Sequence, residues 1–173
     1  SSPVNNIIGI QDFISLKRLF ANNHSITELD LSQNDSLGWL QINYNPIDSL
    51  DLSNNTELYY LSAEFCNNLE FLDISQNTSL IYLDISTSSI SSLDLSSNTS
   101  LRALDVLAID SLLYLDLRNI DKDIQINNIF DNNSNIFNSN YEYELNISFQ
   151  RTLRIPDDGN DHFLPPSLGK FPL

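Results

Sequence analysis

A solenoid of short parallel strands, β-rich with few or no helices, is the fold class this sequence predicts. Three observations predict it. An apolar pair of the form Leu-x-(Leu, Ile, Val or Ala) recurs from Leu19, Leu29, Leu40, Leu50, Leu61, Leu72, Leu83, Leu93, Leu104 and Leu115, in steps of 10 or 11 residues. Another apolar residue sits three positions before each pair, from Leu16 and Ile26 to Leu101 and Leu112. Alternate units resemble each other more than neighbours do, so the full period is 21 or 22 residues made of two halves. Self-similarity at this period is the mark of stacked repeats, each too small to bury its leucines alone.

The chain begins with an N-terminal cap, residues 1–15. Solenoid ends expose leucines and strand edges and need covering. The stretch PVNNIIGIQDFI (3–14) is apolar enough to cover a first coil. The opening SSPVNN lacks a basic start and an apolar run, so no signal segment is expected in this chain.

The solenoid itself spans 16–120. In each half the two residues of the Leu-x-Leu pair point inward and the one between them points out. One set of halves is uniform: DLSQN from Asp30, DLSNN from Asp51, DISQN from Asp73, DLSSN from Asp94 and a weaker DLRNI from Asp116. The other set varies: QINYN from Gln41, SAEFC from Ser62, DISTS from Asp84, DVLAI from Asp105. A bend leaves backbone N–H and C=O groups without strand partners. Asn34, Asn45, Asn55, Asn77 and Asn98 are placed to satisfy them with inward-turned amides. Cys66 and Ser88 fall in the same register and read as structural substitutes.

Residues 121–173 read as a C-terminal cap. Ile124 and Ile126 allow one more strand. NIFDNNSNIFNSN (128–140) reads as a loop. Tyr141, Tyr143, Leu145, Ile147 and Phe149 alternate with polar residues, which predicts a strand or hairpin with one buried face. PDDGNDHFLPPSLGKFPL reads as an irregular tail.

The pattern resembles the leucine-rich repeat family, and its nested two-half unit is similar to the bacterial IRREKO subclass. Leu37-Gly-Trp-Leu40-Gln-Ile42-Asn-Tyr-Asn45-Pro-Ile47 matches the family's LxxLxLxxNxL segment. The DLSxN half matches its variable segment. The resemblance covers about residues 14 to 120. It implies a leucine-rich repeat solenoid, α/β in the broad sense, coiled right-handedly, with short parallel strands on one face or two. It also implies a non-enzymatic bacterial recognition module that is exported, to the cell surface, the extracellular space or the periplasm.

Composition narrows the partners. Net charge is −15 with eight Lys and Arg in all, which argues against nucleic acid, whose phosphates call for clustered cations. No run approaches the roughly 18 apolar residues of a membrane span. His24 and His162 lie far apart in the chain without a paired carboxylate motif, and a flat strand face offers no pocket in which a nucleophile, a base and an orienting group meet. No cofactor, metal or catalytic residue is expected. DDGND (157–161) lacks the twelve-residue calcium loop and reads as a turn. A protein partner is expected, a glycan is the alternative, and the chain is expected to act as a monomer.

In the resembled family the ligand usually lies on the LxxLxLxxN strands, here the variable set. Its outward positions are Arg18 and Phe20, Trp39 and Gln41, Tyr60 and Ser62, Tyr82 and Asp84, Ala103 and Asp105, with Tyr44, Glu64 and Phe65 following two strands. Trp39, Tyr60 and Tyr82 share one register and predict an aromatic ladder near Phe20. The predicted ligand surface is Phe20, Trp39, Gln41, Tyr44, Tyr60, Glu64, Phe65, Tyr82, Asp84 and Asp105. Its rings serve either to bind a protein, to stack on sugars, or only to brace the sheet of a structural spacer.

The opposite face carries aspartates at 30, 51, 73, 94 and 116. Like charges one coil apart, roughly 4.8 Å, repel by about 1 kcal/mol in water. Hydroxyls or turn amides of Ser32, Ser53, Ser75 and Ser96 are placed to offset this. A divalent cation is the less favoured means.

Overall fold

The computed structural model describes residues 6–120, except 113 and 118, and the backbone of 125–127. It is a parallel-strand solenoid with almost no helix. Among the described residues a 3₁₀ turn, Ile10–Asp12, precedes eight three-residue strands: β1 Arg18–Phe20, β2 Trp39–Gln41, β3 Tyr60–Ser62, β4 Tyr82–Asp84, β5 Ser92–Asp94, β6 Ala103–Asp105, β7 Tyr114–Asp116 and β8 Gln125–Asn127. Among the described residues no helix is long and apolar enough to cross a membrane.

The two halves of the repeat form different structures. The variable halves build one six-stranded parallel sheet in the order β1-β2-β3-β4-β6-β8. Leucines pair with leucines along it: Leu19 with Leu40, Leu40 with Leu61, Leu61 with Leu83, Leu83 with Leu104 and Leu104 with Ile126. The DLSxN halves contribute a two-stranded sheet, β5 with β7. Strands on a second face therefore occur at two coils among the described residues.

The core is the apolar column between the faces. Leu37, Leu40, Ile42, Ile47, Leu52, Leu58, Leu61, Leu80, Leu83, Leu93 and Leu104 are all fully buried. Burying a Leu or Ile side chain stabilises by about 1.5–3 kcal/mol, and each coil contributes several. Gln41 lies half-buried between buried Leu40 and Ile42, which is the expected in-out-in alternation.

Asparagines hold the bends. Asn55 Nδ2 donates to the carbonyls of Leu31 and Asn34 at 3.1 and 3.0 Å. Asn77 repeats this towards Leu52 and Asn55, and Asn98 towards Ile74 and Asn77. Asn34 donates to Ile10 and Phe13, tying the N-terminal turn to the coil above it. Asn45 Nδ2 donates to Ala21 and Ile42, and its Oδ1 accepts from the N–H groups of His24 and Ile26. Cys66 takes over the rung above Asn45, its Sγ 3.4 Å from the Ile42 carbonyl. Ser88 departs from expectation. It is buried, but its Oγ reaches no partner among the described residues, because the side chain is too short to span the bend.

At the N-terminal end Ile10 is buried, with Ile7, Leu16 and Leu19 packed against the core. Ile8, Phe13 and Ile14 remain exposed, so this segment covers the first coil in part. The C-terminal cap expected at 121–173 lies outside the described residues, apart from β8. That strand takes Ile126 as its middle residue and adds one step to the sheet.

Candidate functional site

The six-stranded sheet arranges its outward side chains in columns, because parallel in-register pairing repeats each position one coil above the last. The first column is Arg18, Trp39, Tyr60, Tyr82 and Ala103. Trp39 lies flat on Tyr60, with ring centroids 3.5 Å apart and planes 6° from parallel. Tyr60 lies on Tyr82 at 4.5 Å and 12°. Phe20 leans against Trp39 at 5.9 Å and 35°. The expected ladder thus forms across four coils. Its members cover one another: Trp39, Tyr60 and Tyr82 are half-buried, while Phe20 is 59% exposed.

Tyr59, which the sequence pattern does not single out, closes the side of the stack. It meets Trp39 edge-on at 6.2 Å and 77°. Gly38 makes room for it, since a Cβ there would stand 2.6 Å from Tyr59 Cε1. Enclosed this way, Trp39 Nε1 is buried without a hydrogen-bond partner among the described residues.

A second pair of rings, Tyr44 and Phe65, stacks at 4.6 Å and 12°. Both residues adopt left-handed backbone conformations, with φ of 59° and 56°. So do Asn23, Thr87 and Ala108, one residue per coil in the same register. The conformation keeps the backbone bonding continuous past the strand: the N–H of Tyr44 donates to Glu64 O at 2.8 Å, and that of Phe65 to Ser86 O at 2.9 Å. It costs a residue with a Cβ roughly 1–2 kcal/mol. Asn23 is the one of the five whose type tolerates this well.

Polar groups lie between the two sets of rings. Ser62, expected to face outward, is buried and donates to Asn43 Oδ1 at 2.8 Å. The same oxygen accepts from the Glu64 N–H at 3.0 Å. Gln41 lies one strand below Ser62 and stays half-buried. Asp84 and Asp105 are register neighbours on β4 and β6. Tyr82 Oη donates to Asp105 Oδ2 at 2.7 Å, while Asp105 Oδ1 is buried without a partner among the described residues.

Asp84 and Glu64 on this face are harder to ionise than ordinary carboxyls. Burial first, then the charge of Asp105, pushes Asp84 above the usual carboxylate range, against the pull of the Ser86 N–H. Burial, then the charges of Asp84 and Asp105, raises Glu64. The Tyr60 and Tyr82 hydroxyls are held protonated by burial and by the same acids.

Asp30, Asp51 and Asp73 of the other face behave oppositely. Ser32, Ser53, Ser75 and Ser96 each donate a backbone N–H to the aspartate two residues before, at 3.0, 2.9, 2.9 and 2.8 Å. Gln11 also bonds Asp30 and is the chief cause of its lowered pKa. The serine amides do the same for Asp51 and Asp73. The repulsion along this ladder is met within the chain. Among the described residues no three His, Cys, Asp or Glu side chains are grouped closely enough to hold a metal ion. Cys66 is buried, and desolvation pushes its thiol up to about 11, which makes it a poor nucleophile.

No protein-family model matches the chain, and no curated protein does. Solved structures do. The functional domain of InlJ from Listeria monocytogenes, which includes a cysteine ladder, is 29% identical, with a TM-score of 0.58 over 64% of this chain and 27% of that one. The internalin InlF, also from Listeria monocytogenes, is 18% identical with a TM-score of 0.44, over 74% of this chain and 48% of that one. Both neighbours are leucine-rich repeat proteins. The present chain thus spans about a quarter of the length of the InlJ domain.

Proposed function

We propose that the chain is the recognition part of a bacterial surface or secreted leucine-rich repeat protein, of the nested IRREKO type, and that it binds a protein partner. The docking surface is the face of the six-stranded sheet: Phe20, Trp39, Gln41, Tyr44, Tyr60, Glu64, Phe65, Tyr82, Asp84 and Asp105. The observation that carries this reading is the ring stack on the continuous sheet. Trp and Tyr are the residues on which protein interfaces concentrate their energy. The cost of this stack to the free protein also supports a use for it. An indole N–H is buried with no partner among the described residues, and two rings sit on strained backbone.

A protein suits this face better than a glycan. Sugars stack on ring faces, and here both faces of Tyr60 and one face each of Trp39 and Tyr82 are spent within the stack. What remains open is largely ring edges and the exposed rings of Phe20, Tyr44 and Phe65. Catalysis is not proposed, since the acids and tyrosines of this face lie along a sheet surface.

The test is comparative capture from bacterial and host surface extracts and on a glycan array. The intact chain is set against a Trp39→Ala/Tyr60→Ala/Tyr82→Ala variant shown to be folded by circular dichroism. Retention of a protein by the first and its loss by the second is the expected result. Equal behaviour of the two would make the stack a brace within a structural spacer. Capture of glycans alone would favour the carbohydrate reading.

A further inference from the structure

The first coil is open at its end. β1 is the outermost strand of the six-stranded sheet. Its register partners Leu40, Leu61, Leu83 and Leu104 are fully buried, whereas Leu19 is only part-buried. Leu37, Leu58, Leu80 and Leu101 are likewise fully buried, and their counterpart Leu16 is not. Phe13, 62% exposed, lines a groove there with Leu16, Lys17 and Arg18. Asn34 donates to the carbonyls of Ile10 and Phe13 as Asn55 does to those of Leu31 and Asn34. Phe13 thus holds the rung position of the first coil, with a ring in place of an amide. The rung that would tie a further coil of the same kind beneath it has no side-chain donor.

The backbone of this edge is unpaired among the described residues. Trp39, the register partner of Arg18, gives its N–H to Lys17 O. Ala21 gives its N–H to Gln41 O. Alternate residues of a strand turn their N–H and C=O groups to opposite neighbours, so Lys17, Leu19 and Ala21 serve β2. Arg18 and Phe20 turn theirs to the side where no described strand lies. Such an edge is a template for another strand.

We infer that two copies of the chain join end to end through β1, antiparallel about a two-fold axis at Leu19. The strand is self-complementary in that register. Arg18 of one copy lies opposite Phe20 of the other, and the two exchange both backbone bonds, since these are the residues whose N–H and C=O groups face the edge. Their side chains share the outer face, guanidinium beside aromatic ring, which attract. On the inner face Leu19 meets Leu19 of the second copy, roughly 4.5–5.5 Å between Cβ atoms, and the two open cores close on each other. Charge favours this end as well. Copies with a net charge of −15 repel over most of their surface, but this edge carries Lys17 and Arg18, two of the chain's eight basic residues. The register sets neither opposite its own counterpart. The dimer replaces the monomer expected from the sequence. It stands without the docking face proposed above, of which it uses only Phe20, and it makes that face continuous through both copies.

Sedimentation equilibrium of the full chain from about 1 to 500 µM reads the association, expected in the micromolar range because the contact is small. Arg18 and Phe20 are exposed, so their variants should keep the circular dichroism of the intact chain. Phe20→Arg sets like charges against each other across the axis and is expected to weaken the dimer by about tenfold. Arg18→Glu/Phe20→Arg makes the facing charges opposite and should return the dimer to within about threefold of the intact chain. Phe20→Pro deletes an edge-facing N–H, which an outermost strand tolerates, and should weaken the dimer by about tenfold. A monomer across the whole concentration range would overturn the proposal. So would association that Phe20→Arg and Phe20→Pro both leave intact, or that the double variant loses as fully as Phe20→Arg does.

Discussion

The indole of Trp39 rests on the ring of Tyr60, 3.5 Å between centroids and almost parallel, while its Nε1 meets no acceptor among the described residues. Packing favours the contact and hydrogen bonding does not. Trp39→Phe should therefore keep most of the stack, remove the orphaned donor, and change stability by less than about 1 kcal/mol. Trp39→Ala loses the stack as well and should cost about 1–3 kcal/mol. Urea denaturation of both variants checks the pair, and a Phe variant as damaged as the Ala variant would contradict it.

Gly38→Ala tests how the stack is enclosed. The new Cβ would collide with the Tyr59 ring, which must swing away from Trp39. A loss of about 1–3 kcal/mol is expected, with a red shift in the emission of the chain's one tryptophan as water reaches it. Unchanged emission would show that the ring adjusts in place.

Asn55→Ala removes two donors from buried carbonyls, those of Leu31 and Asn34. Each unsatisfied acceptor costs about 1–3 kcal/mol, so a total loss of about 2–4 kcal/mol is expected in thermal or urea unfolding. A loss below about 1 kcal/mol would mean that the bend finds other donors.

Tyr44→Asn relieves left-handed strain and loses the contact with Phe65. The two effects are each of order 1 kcal/mol and opposite in sign. Stability should change by less than about 1 kcal/mol, while binding through the sheet face should fall. A large destabilisation with binding unchanged would assign this ring to the scaffold.

Two sets of acids pull stability in opposite directions with pH. Glu64 and Asp84 have raised pKa values in the fold, so their contribution is full below their ordinary values of 4.5 and 3.8 and is lost as pH rises through the folded values. Asp30, Asp51 and Asp73 have lowered values, so theirs is full above 3.8 and is lost as pH falls through the folded values. The melting temperature should rise on mild acidification from neutrality and fall again in stronger acid. Glu64→Gln/Asp84→Asn should flatten the rise and leave the fall.

The period, the inward leucines, the asparagine bends and the Trp39–Tyr60–Tyr82 register were legible because each depends on spacing alone. Other features depend on contacts that spacing does not encode. Both halves carry Leu-x-Leu, so the pair alone does not rank them; the match of the variable half to the LxxLxLxxN segment did, and the six-stranded sheet lies there. Tyr59 stands where other coils have Lys17, Gly38, Ile81 and Arg102, a position without shared chemistry; its one signal was a glycine a coil below. The left-handed turn gave no signal at Tyr44 or Phe65, because Gly or Asn normally marks it and of the five only Asn23 does. Ser62 followed the outward rule in direction, yet Asn43 covers it.

The asparagine amides all point one way along the stack. Asn34 reaches down to Ile10 and Phe13, Asn55 to Leu31 and Asn34, Asn77 to Leu52 and Asn55, and Asn98 to Ile74 and Asn77. The next rung, Ile120, is buried but carries no amide. Inserting or deleting a whole coil between two of these rungs would therefore preserve every junction, since each rung offers the same donor below and the same carbonyls above. Lengthening at the Ile120 end has no such template. The molecule's length is modular in its interior and constrained where the rung chemistry changes.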